Sequence, residues 1–158
     1  MRKVIKNSFI AAAMLFSVFM LISSAEAQNR RAGYTKAQID RMINNLETRI
    51  DVFQRQFDRN LDRSRLDNSR REDVLNRKAR NLEAATDELR REFNRRDRWI
   101  ENKDEVRRCL NIASDINTAM RNNRFNWNIE SNWKSVVYEL NTLARVYNLP
   151  NVGASVYR

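Results

Sequence analysis

The chain has 158 residues, with 30 Lys and Arg against 20 Asp and Glu, one Cys and no His. Without His, Ser-His-Asp and Cys-His catalysis and His-ligated zinc or haem are excluded, and a single thiol builds neither an iron–sulfur centre nor an internal disulfide. Two Gly and one Pro leave no material for a phosphate-cradling loop or for the turns of a β-rich fold.

The first element reads as an address, separate from the working domain. Arg2, Lys3 and Lys6 precede an apolar run over residues 9–22, and Ala25-Glu26-Ala27 has the small-x-small form of a secretory cleavage site. The run is shorter than the roughly 20 apolar residues that a membrane span needs. Residues 1–27 are therefore expected to be a signal peptide, placing the mature chain in the periplasm or outside the cell. No Cys stands at Gln28, so nothing points to a lipid anchor. The remaining 131 residues keep 27 basic and 19 acidic side chains, a net charge of +8, in a length suited to one domain.

After a flexible stretch at 28–34, Thr35 opens the first helix, with Gln38 as its capping-box partner. Ile39, Ile43, Leu46, Ile50, Phe53, Phe57 and Leu61 follow at steps of three and four, the signature of one narrow apolar seam. The seam fades near Leu66, and Asp67-Asn68-Ser69 reads as a turn. Ser69 and Glu72 start a second helix, whose seam is Leu75, Ala79, Leu82, Ala85 or Thr86, Leu89 and Phe93. Trp99 and Ile100 either extend it or pack as a staple in the next turn. Asn102 with Glu105 starts the third helix, with Val106, Cys109, Leu110, Ala113, Ile116 and Met120 on its apolar side; Arg121-Asn122-Asn123-Arg124 ends it. The fourth begins between Asn128 and Ser131 and carries Trp133, Val136, Val137, Leu140, Leu143, Ala144 and Tyr147. Pro150 closes it, leaving a tail over 150–158.

These segments predict an all-α fold, an antiparallel four-helix bundle over 35–149 with a longer N-terminal helical hairpin. The first helix should run roughly 45–50 Å and the last two about 30 Å each. The hairpin is expected to project beyond the last two helices; its distal part, residues 58–80, is poor in large apolar residues and crowded with Arg and Asp, and its tip is expected to form a solvated coiled-coil finger. Asp51–Arg55, Arg63–Asp67 and Asp73–Arg77 have the i,i+4 spacing of helix ion pairs.

The chemistry of this composition points to binding and away from catalysis. Asp87/Glu88 and Asp104/Glu105 are adjacent on helices, so their carboxylates diverge by about 100°; Asp104 and Glu105 suit the first turn of a helix, where they offset its dipole. No cofactor or metal is expected. Arg90, Arg91, Arg95, Arg96 and Arg98 are candidate contacts for an anionic partner, since guanidinium forks pair with carboxylate and phosphate. Export makes nucleic acid an unexpected partner and leaves envelope polymers and lipid head groups. Trp99, Phe125, Trp127, Trp133, Tyr138 and Tyr147 suit a core, with Trp127, expected between helices, as a partner contact. Cys109 suits a buried position or a disulfide between chains, and the two N-terminal seams could pair within one chain or between two copies.

Thr35-Lys36-Ala37-Gln38 resembles the second half of the L-T-x-x-Q motif of small periplasmic all-helical chaperones and stress sensors of the Spy/CpxP type, with Tyr34 in place of the Leu. That resemblance implies a protein holding unfolded clients. Trp133-Lys134-Ser135-Val136, Leu140-Asn141-Thr142-Leu143-Ala144 and Tyr147-Asn148-Leu149 are similar to a C-terminal pattern in uncharacterised secreted bacterial helical proteins. That similarity implies export and a helical fold, with no activity attached. The expectation is a binding or scaffolding protein of the cell envelope, with a client-binding chaperone or a binder of anionic envelope polymers as alternatives.

Overall fold

The computed structural model describes residues 33–61, 70–122 and 125–153. The expected signal peptide, the turn at 67–69, the Arg63–Asp67 pair, Asn123-Arg124 and the end of the tail lie outside the described residues. Among those described there are four α-helices and no strand: α1 Lys36–Leu61, α2 Arg70–Arg95, α3 Lys103–Asn122 and α4 Trp127–Val146. A 3₁₀ turn, Trp99–Asn102, links α2 to α3.

Each helix packs against two others: α1 lies between α2 and α4, and α3 closes the square from the opposite corner. All four neighbouring pairs run antiparallel. Lys36 meets the carbonyl of Arg96 whereas Glu47 meets Arg90, so α1 and α2 run in opposite directions. Arg96–Glu105, Thr86–Cys109 and Lys78–Asp115 step the same way along α2 and α3. Phe53 packs on Trp133 and Phe57 on Phe125 between α1 and the α4 end of the chain. Trp133 Nε1 donates to Asn117 Oδ1 at 3.1 Å, tying α4 to α3.

The seams read from the spacing are the core. Every seam residue named for α1 and α3 is buried, so the α1 and α2 seams pair within one chain. On α2 the choice between Ala85 and Thr86 resolves as both; Thr86 satisfies its buried hydroxyl by donating to Leu82 O at 2.9 Å. On α4 Ile129 and Val146 join the core, while Val137 is only half-buried. Among the described residues the apolar interior is drawn from residues 39–152, all within a chain beginning at Gln28.

Three boundaries differ from expectation. The N-terminal hairpin is the longer, with 26 residues in each of α1 and α2 against 20 in α3 and α4. However, residues 58–80 do not all project from the bundle: Lys78 Nζ reaches Asp115 Oδ2 at 3.0 Å, and Leu61, Leu75 and Ala79 are buried. The fourth helix starts earlier than predicted, at Trp127, because Asn126 is extended (φ −71°, ψ 160°) and its side chain accepts from Ile129 N at 3.0 Å. Trp127 is thus the first residue of α4, not a residue between helices. At the other end Asn148 takes φ 52°, and Leu149 N donates to Ala144 O at 2.8 Å and Asn148 N to Arg145 O at 3.2 Å. This Schellman closure ends α4 before Pro150 is reached.

Trp99 does not extend α2; of the two alternatives it takes the second, packing in the turn. It is buried in the 3₁₀ turn, edge-on to Tyr147 with centroids 5.4 Å apart, and its carbonyl accepts the Tyr147 hydroxyl at 2.9 Å. The first residues of the tail fold back as well, Val152 N donating to Asn141 Oδ1 at 2.8 Å.

Candidate functional site

The five arginines singled out by sequence do not form one patch. Arg90 is drawn into the α1–α2 interface, where Nη1 lies 2.6 Å from Asp40 Oδ1 and Nη2 2.8 Å from Glu47 Oε2. The hydrogen bond to Glu47 raises its pKa above the ordinary arginine value, against the opposing effect of burial. Arg96 fastens the end of α2 to the start of α3. Its two terminal nitrogens take both oxygens of Glu105 at 3.0 and 2.9 Å, and Nη2 also meets Glu92 at 2.9 Å. The Glu101 carbonyl and Asn102 Oδ1 complete this clasp. Glu105 therefore does more than offset a helix dipole. Arg95, and after it Arg96, hold the Glu92 carboxyl below the usual carboxylate value.

Arg91, Arg95 and Arg98 are exposed, but each has an acid beside it: Glu88, Glu92 and Glu101. Such surface pairs add only about 0–1 kcal/mol of stability, yet they cancel much of the field an anionic ligand would feel. These pairs have i,i+3 spacing, and Asp51–Arg55 and Asp73–Arg77 are not among the ion pairs of the described residues.

The outward face of α4 has the opposite character. Trp127 is 76 % exposed and Tyr138 66 % exposed, in contrast to Trp99, Trp133 and Tyr147, which are buried. Eleven residues make three helical turns, so both rings leave α4 on the same side, about 16 Å apart along the axis. Lys134 and Arg145 fall on that side too, by the same geometry. Among the described residues neither has a carboxylate within ion-pair distance; Arg145 Nη2 donates to Thr142 Oγ1 at 3.1 Å.

Beside Trp127 a groove of about 430 Å³ runs between α1 and α4, lined by Gln56, Arg59, Trp127, Asn128, Ser131 and Asn132. A smaller concavity of about 240 Å³ continues it past Asn60 and Asn126. Asn132 Nδ2 donates to Gln56 Oε1, spanning the two helices. Arg59 Nε donates to the Arg55 carbonyl at 3.0 Å, and no described carboxylate pairs with Arg59. Between α1 and the α4 end of the chain, Phe53, Phe57, Phe125 and Trp133 form a chain of rings with centroid separations of 5.0–5.3 Å. A separate concavity of about 390 Å³ lies between the outer side of α3 and the tail, at Arg107, Leu110, Ser114 and Pro150.

The described residues contain no cluster of three or more His, Cys, Asp or Glu able to hold a metal ion, and no helix long and apolar enough to cross a membrane. Cys109 is wholly buried, and desolvation pushes its thiol up to about 12, so it is poised neither as a nucleophile nor for a disulfide between chains. Native protein is accordingly expected to react with a thiol reagent at least 100-fold more slowly than the denatured chain. Its mass by light scattering should be the same with and without reductant; a covalent dimer would contradict this placement. No family model matches this chain, and neither does any curated protein or solved structure.

Proposed function

We propose that this chain is an exported, non-enzymatic helical bundle that binds a component of the cell envelope through the outward face of α4. The observation that carries this reading is the grouping of two exposed aromatic rings with two cations that have no described carboxylate partner. Of the five arginines singled out by sequence, Arg90 and Arg96 are engaged inside the bundle, and Arg91, Arg95 and Arg98 each stand beside an acid. Export rests on the signal-like residues 1–27.

Isolated envelopes test the proposal. The chain from Gln28 is expected to sediment with them, less so as salt rises. The double variant Trp127→Ala, Tyr138→Ala should leave at least about three-quarters of the protein in the supernatant, since exposed aromatics often dominate a binding surface. Failure of the parent chain to sediment would remove the binding role, and equal sedimentation of the variant would remove the face.

A client-holding chaperone is the second reading, supported by the basic charge and the Thr35–Gln38 resemblance. It would need a broad apolar surface, and the large exposed hydrophobics among the described residues are Tyr34, Ile100, Trp127 and Tyr138 only. Stoichiometric suppression of aggregation of an unfolded protein would favour it over the envelope-binding reading.

A further inference from the structure

We infer that the groove beside Trp127 is a site for an acidic polysaccharide chain, an inference that rests on the binding role proposed for α4 and names its ligand. A sugar ring has an apolar C–H face and a rim of hydroxyls. The first stacks on an aromatic plane, and the second pairs with planar amides, which offer a donor and an acceptor side by side. The groove supplies both within one space: the Trp127 indole, three-quarters exposed, next to Gln56, Asn128, Ser131 and Asn132. The bond from Asn132 to Gln56 uses one polar atom of each amide, so the NH₂ of Gln56 and the carbonyl oxygen of Asn132 are the atoms left for a ligand. The volume, about 430 Å³, is in the range of small-ligand sites.

Charge selects an acidic sugar over a neutral one. Arg59, in the groove wall, has its Nε on a backbone carbonyl and its terminal nitrogens available as a fork for a carboxylate. The α4 face selects a chain over a single sugar. Lys134 and then Tyr138 continue from Trp127, giving a cation about 10 Å and a second stacking ring about 16 Å further along the helix. A lipid surface fits less well, because Ser131, Lys134 and Thr142 stand where a membrane-seated helix would place aliphatic residues.

The test uses the chain from Gln28, labelled with ¹⁵N, and the indole N–H signals of its Trp residues. Trp127→Phe identifies the signal that belongs to the groove. Hexagalacturonate is expected to move the Trp127 signal and leave those of buried Trp99 and Trp133 in place. Trp127→Ala should weaken binding about tenfold or more, as loss of a stacking platform does. Arg59→Gln should remove most of the preference for hexagalacturonate over neutral maltohexaose, with an unchanged thermal midpoint showing that the fold is intact. The inference is overturned if neither hexagalacturonate nor an N-acetylated glycan strand bearing lactyl carboxylates moves the Trp127 signal. It is equally overturned if only vesicles of phosphatidylglycerol and phosphatidylcholine do so. Envelope sedimentation that persists while both saccharides fail would remove the saccharide and leave the α4 face standing; loss of both would remove the two together.

Discussion

Phe53→Ala is expected to lower the stability of the bundle by about 3–5 kcal/mol, the usual cost of deleting a buried aromatic side chain and leaving a cavity. Phe53 is 1 % exposed and sits at the junction of α1 and α4, its ring centroid 5.0 Å from Phe57 and 5.1 Å from Trp133. Those contacts pass on to Phe125 and so tie α1 to the start of α4. A domain of this size has a total stability of about 5–15 kcal/mol, so the loss is a large share of it. Phe53→Leu keeps much of the volume and should cost less than half as much. Urea unfolding followed by circular dichroism measures both. A change below about 1 kcal/mol for Phe53→Ala would mean that the four-ring chain does not hold α1 to α4.

The second large effect is alkaline unfolding. Burial raises the Cys109 thiol from 9.0 to about 12, and burial, followed by the charge of Glu105, raises the Tyr147 phenol. Both groups are neutral when protonated, so the folded state holds its proton at a pH where the unfolded chain has released it. Stability is fully present below pH 9.0 and falls as pH climbs towards about 12. The slope for the thiol alone is roughly 1.4 kcal/mol per pH unit, or about 4 kcal/mol across that window. Cys109→Ala should flatten the dependence by one proton. Tyr147→Phe should flatten its upper part, at a cost near neutrality of about 1 kcal/mol because the Trp99 carbonyl loses its donor. The lysine contacts of Lys36 and Lys78 are common to all three proteins and cancel in the comparison. Parallel curves of stability against pH for the parent chain and Cys109→Ala would contradict the burial of this thiol.

The core was the legible part. On α1 and α3 the apolar residues occupy a narrow stripe and recur at three and four, a spacing that leaves one face to bury. On α4 the pattern was denser, and Trp133 through Leu140 hid the outward Tyr138 among inward residues. Helix ends were harder, because a cap depends on backbone angles: Asn126 and Asn128 look alike in sequence, and only Asn126 is extended with its side chain on Ile129 N.

The candidate site was the least legible, for a physical reason. Arginines on one helix look equivalent until the neighbouring helices are placed. Arg90 follows core residue Leu89 and faces Asp40 and Glu47 on α1; Arg96 stands between core residues Phe93 and Trp99 and faces Glu105 on α3. Those partners lie 9–50 residues away, beyond any local pattern. The signal for the α4 face was present in the spacing of Trp127, Lys134, Tyr138 and Arg145, which keeps to one side of a helix. Its exposure became visible only once Ile129, Trp133, Val136 and Leu140 had claimed the other side.

In the proposed function the working surface is the outward face of α4 and not the arginines at and just beyond the end of α2. One envelope-sedimentation experiment compares the parent chain with two variants of equal thermal midpoint: Trp127→Ala with Tyr138→Ala, and Arg91→Gln with Arg95→Gln and Arg98→Gln. The predicted result is loss of binding in the first variant and binding within about twofold of the parent in the second, whose cations already have acids beside them. The reverse order, with the arginine variant released and the aromatic variant retained, would contradict the account.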